Sequence, residues 1–342
     1  MTSILVIYTG GTIGMKQNPK TGVLQPFNFE QIREEMPALN KFGFTIHAIS
    51  LDSLIDSADV QPDFWVKLCH VIANNYEQYC GFVILHGTDT MAYTASALSF
   101  MLENLEKPVI LTGSQLPIGA IRTDGAENIV SAIEIAAAQY EGRPYVPEVC
   151  IFFESKLLRG NRTSKYSAEM FRAFRSGNYP ALAEAGIHIK FNLNSIYRPK
   201  EWGRSLRLYT NLDTNVGILK IFPGINPQLM KSMLSHSGLR AVVLETYGSG
   251  NAPTTSWFIE TLKAAVDKGL ILVNVSQCPT GSVDMEKYAN GLALKEIGVI
   301  SGYDMTTEAA VCKLFSLLGQ HQDNEKVKFL WQKNIRGEMT DN

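Results

Sequence analysis

The chain has 342 residues, of which 45% are hydrophobic and 19% are charged, and its formal net charge is −2 at pH 7. This composition is typical of a soluble globular protein, and a charge so close to neutral favours neither nucleic acid nor a membrane surface as a partner. Because the length exceeds what one hydrophobic core usually needs, we expect two domains.

Cysteine spacing and the N-terminus predict a cytoplasmic protein. The five cysteines are widely spaced without a Cys-x-x-Cys pair, which favours reduced thiols over disulfides or a zinc site. The six histidines also lack the spacing of metal ligands. Met1-Thr2-Ser3 leads directly into an apolar run, without the basic and cleavable segments of a signal peptide. The longest helical apolar stretch, 91–105, is too short and too polar to cross a bilayer.

Strand-like and helix-like segments alternate along the first half of the chain. Apolar runs typical of buried strands cover Ile4–Tyr8, Phe82–His86, Val109–Thr112 and Val149–Phe153, and helical spacing covers Asp63–Tyr79, Met91–Leu105 and Ala126–Tyr140. Asp89 and Thr90 are candidate caps for the second of these helices. This alternation indicates right-handed βαβ units and a parallel sheet.

The same pattern restarts after residue 210. Strands are predicted at Val216–Phe222, Ala241–Thr246 and Leu270–Val275, and helices at Asn226–His236, Thr254–Lys268 and Thr306–Leu318. The intervening stretch is polar and contains Pro199 and Gly203, as in a linker or an ordered crossover. We therefore predict an N-terminal α/β domain at 1–189, a linker at 190–211 and a C-terminal α/β domain at 212–342.

A glycine-rich turn, Thr9-Gly10-Gly11-Thr12-Ile13-Gly14, directly follows the first predicted strand. In parallel sheets, ligands bind where strands end, and glycines let backbone N–H groups approach a ligand closely. The alternatives are an ordinary strand-to-helix turn and an altered dinucleotide-binding fingerprint. The fingerprint is disfavoured because Thr9 replaces its first glycine and no helix pattern follows. The Gly-Lys-Ser/Thr sequence of a phosphate-binding loop is also missing.

A second such turn, His86-Gly87-Thr88-Asp89-Thr90, follows the strand at 82–86. An Asp beside a Thr at a strand end is often no more than a helix cap. His86 alone is more often a satisfied strand-end residue than a catalyst. Both threonine turns nevertheless open onto the same edge of the predicted sheet, and two hydroxyls and a carboxylate at one crevice indicate nucleophilic chemistry.

Two further polar segments follow apolar runs of the predicted sheet. The loop 159–165 contains three basic residues and, taken alone, would be interpreted as a solvated basic loop. We expect Lys165 to reach Thr88 and Asp89, since an ammonium beside a hydroxyl lowers the cost of deprotonating it. The other segment, 56–59, has two aspartates and a serine that can hold the charged end of a substrate.

Together these motifs resemble the two signatures of the bacterial-type L-asparaginases. The match extends through Asp56-Ser57, Thr112-Gly113-Ser114-Gln115, Arg159–Lys165, Tyr247-Gly248-Ser249-Gly250-Asn251 and Asp304-Met305-Thr306. Without a signal peptide and with Met91-Ala92-Tyr93 after the second signature, the chain is most similar to the cytoplasmic type I branch.

The resemblance implies a larger N-terminal domain with a mostly parallel sheet and a smaller C-terminal parallel α/β domain, assembled as homodimers or homotetramers. It also implies hydrolysis of the small molecule L-asparagine to L-aspartate and ammonia, with no cofactor and no metal. Thr12 would be the nucleophile, supported by a triad of Thr88, Asp89 and Lys165. The substrate-binding residues implied by the match are Gly11, Asp56, Ser57, Ala58, Thr88, Asp89 and Ser114.

Two positions depart from the family pattern. Val23 stands where some relatives have a tyrosine that is proposed to assist the nucleophile. Glu245 stands where bacterial type I enzymes have an arginine of a regulatory asparagine site, although Cys278 remains at another position of that site. A carboxylate repels the carboxylate of an effector, so we expect weak or absent activation by asparagine.

Two other functions are compatible with the motifs. One is the amidase subunit of a tRNA-dependent amidotransferase, which shares the first signature but usually carries an extra N-terminal module. The other is a non-catalytic protein that binds an amino acid. The presence of Thr12, Thr88, Asp89 and Lys165 together favours the enzyme.

Overall fold

The computed structural model describes residues 2–17, 24–26, 36–199 and 201–341. The chain forms two compact units, residues 1–208 and residues 209–342. The strand Ile189–Phe191, at the start of the predicted linker, pairs within the sheet of the first unit.

The first unit is built on an eight-stranded sheet. Its strands are β1 (Ser3–Tyr8), β2 (Thr45–Ser50), β3 (Gly81–Leu85), β4 (Val109–Thr112), β5 (Val149–Phe153), β6 (Lys156–Arg159), β7 (Ala183–Ala185) and β8 (Ile189–Phe191). Across the sheet their order is β8-β7-β6-β5-β4-β3-β1-β2. Strands β2, β1, β3, β4 and β5 pair in parallel, and the pairs β5–β6, β6–β7 and β7–β8 are antiparallel.

The central strands are continuous apolar runs because both faces of the sheet are covered. Residues 4–8 of β1 and 82–85 of β3 are fully buried, as expected for a parallel sheet between helices. Their register pairs Tyr8 with Leu85 and Leu85 with Thr112. The turns that follow β1, β3 and β4 therefore begin side by side at one edge of the sheet.

The helices of this unit start close to their predicted positions and end earlier. They are α1 (Pro62–Asn74), α2 (Met91–Met101) and α3 (Gly125–Ala137), with short 3₁₀ helices at Thr12–Gly14, Pro37–Lys41, Ser57–Asp59 and Gly160–Arg162. After α2 the chain forms the short strand Leu102–Glu103, and Asn104 has a φ of 60°. After α3 it forms a hairpin of Gln139–Tyr140 and Arg143–Pro144. Leu102–Glu103 pairs with Arg207–Leu208. Strand pairing therefore occurs at residues whose spacing alone favours a helix.

The second unit has a four-stranded parallel sheet. Its elements are β9 (Val216–Lys220), α4 (Pro227–Leu234), β10 (Ala241–Thr246), α5 (Ser256–Asp267), β11 (Ile271–Ser276), α6 (Ala289–Glu296), β12 (Ile300–Ser301), α7 (Thr307–Gln320) and α8 (Asn324–Trp331). The sheet order is β9-β10-β11-β12. Val242 and Leu244 face one buried cluster, while Ala241 and Val243 face another on the opposite side. This alternation is that of a strand covered on both faces.

The predicted α/β fold class is confirmed, with a larger sheet of mostly parallel strands in the first unit and a smaller parallel sheet in the second. The sequence analysis did not predict α6, β12 or α8. None of the helices within the described ranges has the length and apolarity that a membrane-spanning segment needs.

Candidate active site

Three polar turns of the first unit meet at two glycines. Gly11 has a φ of +85°, and a Cβ atom there would lie 2.5 Å from the backbone nitrogen of Gly87. A Cβ atom at Gly87 would in turn lie 2.5 Å from Ser57 Oγ. Only glycine permits these approaches, so both glycines are needed to bring the turn with Thr12, the turn with Thr88 and the segment 56–58 together.

Ser57 ties its segment to the second threonine turn through two hydrogen bonds. The backbone N–H of Asp89 donates to Ser57 Oγ at 3.2 Å, and Thr90 Oγ1 donates to the Ser57 carbonyl at 2.6 Å. Thr90 stands at the N-cap position of α2 but makes no capping hydrogen bond with its side chain. The predicted capping role of Asp89 and Thr90 is therefore wrong, because the Thr90 hydroxyl binds Ser57 and the Asp89 carboxylate pairs with a lysine.

That lysine is Lys165, which contacts both residues that the sequence analysis assigned to it. Its Nζ donates to Thr88 Oγ1 at 2.9 Å and lies 2.5 Å from Asp89 Oδ1. Lys165 lies in a short strand, Ser164–Lys165, that pairs with Phe174–Arg175. The Asp89 side chain is 60% exposed and the Lys165 side chain is 19% exposed, and ion pairs that are partly open to water contribute little to stability.

The Thr88 hydroxyl has a second partner that the sequence analysis did not place in the site. Thr88 Oγ1 lies 3.4 Å from Gln115 Oε1, and the side-chain amide of Gln115 donates to the Met170 carbonyl at 3.1 Å. The Asp124 carboxylate holds this loop by accepting the backbone N–H of Gln115 at 3.0 Å. Lysine N–H groups only donate, so the Thr88 hydroxyl accepts from Lys165 and directs its own proton toward Gln115. The sequence feature that could have identified Gln115 as a site residue is its position in the turn after β4.

Thr12 begins the 3₁₀ turn Thr12–Gly14 and is half-buried. The Tyr8 hydroxyl donates to the Gly14 carbonyl at 3.0 Å and fixes this turn. Among the described residues, nothing makes a hydrogen bond with the Thr12 hydroxyl. The prediction about Val23 concerns a position outside the described residues.

The side chains of two further predicted binding residues differ in exposure and in their hydrogen-bond partners. Asp56 is exposed, and its Oδ1 accepts the backbone N–H of Ala58 at 2.9 Å, which caps the 3₁₀ helix at 57–59. Ser114 is buried, and its hydroxyl donates to the Leu116 carbonyl at 2.6 Å. The Ser114 hydroxyl is thus committed to its own loop.

His86 is fully buried between the strand β3 and the helix α2. Its Nδ1 lies 2.6 Å from the Gly87 carbonyl oxygen, and its Nε2 lies 3.0 Å from Thr94 Oγ1. Burial lowers the pKa of His86 to about 4, against a weaker raising effect of the Gly87 carbonyl. The imidazole is therefore neutral at physiological pH.

We expect His86 to make the stability of the fold depend on pH. Its pKa is lower in the folded chain, at about 4, than in the unfolded chain, at about 6.5, so the unfolded state binds more protons between these values. Stability is therefore lost as the pH falls through this window, by about 2 kcal/mol at pH 5 relative to pH 7. Urea unfolding at both pH values should show that extra loss in the wild type and not in His86→Asn. Equal losses in the two proteins would contradict the prediction.

Within the described ranges, no group of three or more His, Cys, Asp or Glu side chains is placed to hold a metal ion.

Comparison with known protein families shows the family to which the chain belongs. The model of the N-terminal asparaginase domain matches residues 3–197, and the model of the glutaminase/asparaginase C-terminal domain matches residues 215–330. The chain belongs to the asparaginase family. The resemblance inferred from the two threonine turns is thereby confirmed.

Individual relatives of this asparaginase-family chain match over its whole length. It is 45% identical over 346 residues to L-asparaginase 1 of Escherichia coli (strain K12), covering 99% of this chain and 98% of the relative. It is 41% identical to the 60 kDa lysophospholipase of Mus musculus, of which the match covers 62%. The crystal structure of L-asparaginase I from Vibrio cholerae superposes with a TM-score of 0.89 at 43% identity, over 99% of both chains.

In the second unit of this asparaginase-family chain, Glu245 is held by two side chains. Lys220 Nζ lies 3.2 Å from Glu245 Oε2, and Thr307 Oγ1 donates to Glu245 Oε1 at 2.6 Å. Cys278, in the turn after β11, is exposed. The position at which the resemblance led us to expect a regulatory arginine thus carries a carboxylate that is already paired.

Proposed function

We propose that this chain is an L-asparaginase, an amidohydrolase that converts L-asparagine to L-aspartate and ammonia. The observation that carries the proposal is the contact of Lys165 with Thr88 and Asp89, beside the glycine that precedes Thr12. Full-length identity of 45% to a protein named L-asparaginase 1 supports the same activity.

In the proposed reaction, Thr12 Oγ1 attacks the side-chain amide carbon of asparagine. The new C–O bond first gives a tetrahedral oxyanion, and its collapse breaks the C–N bond, so that the hydroxyl proton leaves with the amine as ammonia. Water then cleaves the ester, which releases aspartate and restores the hydroxyl. Because a threonine hydroxyl is a weak nucleophile, it needs a neighbouring proton relay. Thr88, Asp89 and Lys165 supply that relay, for Thr12 or for the hydrolytic water.

Backbone donors of the two glycine turns stabilise the oxyanion that forms during attack. The N–H groups of Thr12 and Thr88 make no hydrogen bond to any group in the described part of the chain. Free donors aimed at a developing negative charge lower the barrier more than they stabilise the substrate. We assign these two N–H groups to the amide oxygen of the substrate.

The polar groups around the two turns bind the charged end of asparagine. Asp56 and Asp89 carry exposed carboxylates that suit an ammonium group, and Ser57 offers the hydroxyl proton that its bond with Asp89 leaves free. The backbones of Gly11, Ala58 and Ser114 complete the pocket.

We also propose that the protein is cytoplasmic, that it works as a homodimer or homotetramer, and that its domains are divided at 189 and 212. Three large exposed side chains, Ile121, Tyr166 and Met170, lie on loops that flank Gln115 and support burial against a second copy. Sedimentation velocity of the purified chain measures the oligomeric state.

Ammonia release by the purified chain tests the proposed activity. Initial rates are measured with L-asparagine and L-glutamine over a concentration series. We expect turnover of asparagine without a partner protein or added metal. One methylene separates the two substrates, and such a difference is worth about 1–3 kcal/mol in a pocket. Binding of asparagine without ammonia release would instead support the non-catalytic alternative, and activity only with a partner chain would support the amidotransferase subunit.

The same rate curve tests regulation. We expect a hyperbolic dependence on asparagine, with a Hill coefficient near 1, because the carboxylate of Glu245 disfavours a second asparagine at that position. Glu245→Gln, which keeps the shape and removes the charge, should also be hyperbolic, because it removes the repulsion without supplying a cation to pair with the carboxylate of a second asparagine. A sigmoidal wild-type curve would contradict this prediction.

A further inference from the structure

Hydrogen bonds around His86 run in one direction, from a tryptophan to the Gly87 carbonyl. The Trp65 indole N–H donates to Thr94 Oγ1 at 3.0 Å. An indole only donates, so Thr94 Oγ1 accepts this bond. The Gly87 carbonyl oxygen lies 2.6 Å from His86 Nδ1 and can only accept, so the imidazole proton is on Nδ1. In the neutral ring Nε2 is then an acceptor, and Thr94 Oγ1, 3.0 Å away, donates its proton to it.

The bond to the Gly87 carbonyl also orients the next N–H group. A trans peptide is planar, so its carbonyl and its N–H point in opposite directions, and the structure has no cis peptide among the described residues. Because the Gly87 carbonyl faces the buried ring of His86, the Thr88 N–H points away from that ring. It has no hydrogen-bond acceptor among the residues that the structure describes.

The residue whose carbonyl His86 holds also packs against the neighbouring turn. A Cβ atom at Gly11 would meet the backbone nitrogen and Cα of Gly87 and the carbonyl carbon of His86, and a Cβ atom at Gly87 would meet Ser57. The turn that carries Thr12 and the segment with Ser57 therefore both lie in direct contact with the residue that precedes the Thr88 N–H.

We propose that His86 is a positioning residue that holds the Gly87 carbonyl and thereby aims the Thr88 N–H at the oxyanion formed from the substrate amide. This inference rests on the proposed amide hydrolysis and adds to it a role for a histidine that transfers no proton. The neutral imidazole suits the role, because a protonated ring would lose the acceptor that Thr94 needs.

Substitution of His86 by asparagine or by glutamine tests the hydrogen bonds of its two ring nitrogens one at a time. In His86→Asn, the side-chain NH₂ takes the place of Nδ1 and can still donate to the Gly87 carbonyl. In His86→Gln, the side-chain amide takes the place of Nε2, where its oxygen accepts from Thr94, and the bond to Gly87 is lost. We expect His86→Asn to keep kcat for asparagine within about twofold. We expect His86→Gln to lower kcat about three- to tenfold at unchanged KM, the effect of one neutral hydrogen bond. Thermal unfolding of both variants checks that they are folded to a similar extent.

The outcomes distinguish failure of the positioning role of His86 from failure of the proposed amide hydrolysis. Equal kcat values in the two variants would overturn the positioning role, and a loss of about a thousandfold in both would show proton transfer instead. If the wild type releases no ammonia, the proposed function fails. The tautomer of the His86 imidazole can still be measured, and it tests the chain of hydrogen bonds from Trp65 to the Gly87 carbonyl. Long-range ¹H–¹⁵N NMR of the wild-type imidazole should show the proton on Nδ1, and a proton on Nε2 would overturn the inference without any activity assay.

Discussion

Replacement of Thr12 by alanine is expected to lower kcat for asparagine by about 10⁴- to 10⁶-fold, the range found when a covalent nucleophile is removed. No other hydroxyl is assigned to the attack, and the remaining donors can only bind the substrate. The chain should stay folded because Thr12 is half-buried and its hydroxyl makes no hydrogen bond to another described residue. Ammonia release gives the rate, and thermal unfolding gives the stability.

A matched control lies three residues earlier in the same turn. Thr9 is buried and its hydroxyl donates to the Leu85 carbonyl at 2.8 Å. Thr9→Ala should cost about 1 kcal/mol of stability and change kcat by no more than a few fold. Thr12→Ser keeps a hydroxyl and should retain measurable turnover. Near-wild-type turnover by Thr12→Ala would show that another group is the nucleophile.

Thr88→Ala and Lys165→Met are each expected to lower kcat by about 10²- to 10⁴-fold, the contribution of a positioned proton relay. Their side chains form one unit, with Lys165 Nζ 2.9 Å from Thr88 Oγ1. Residues that act as a unit have non-additive effects. The double variant should therefore be little slower than the slower single variant. Rates of all four proteins with asparagine complete the cycle.

The control for this cycle is a lysine whose ion pair lies elsewhere. Lys156 Nζ is 3.7 Å from Glu184 Oε1, and both side chains are well exposed. Lys156→Met should leave kcat unchanged, since exposed pairs contribute about 0–1 kcal/mol to stability and none of this pair's atoms contacts the site residues. Fully additive losses in the double variant would mean that Thr88 and Lys165 act separately.

Strand positions in the first unit were predictable because a strand covered on both faces must be apolar at every residue. Val109–Thr112 and Val149–Phe153 were predicted with the bounds that the structure has. Helix ends were not predictable in the same way. Leu102–Glu103 and Gln139–Tyr140 fall within the predicted helices but pair as short strands. The partner of the first is Arg207–Leu208, about a hundred residues away, whereas the second closes a hairpin.

Within the candidate site, the sequence by itself determined which residue types stand at the strand ends and which family the chain resembles. Only the tertiary structure decided the partners of each polar atom. Thr90 binds Ser57 rather than capping its helix, the Thr88 hydroxyl faces Gln115, and His86 turns its Nδ1 proton to Gly87. Hydrogen bonds require placement within a few tenths of an ångström. Segments as distant as Thr88 and Lys165, 77 residues apart, reach that placement only when the whole sheet has formed.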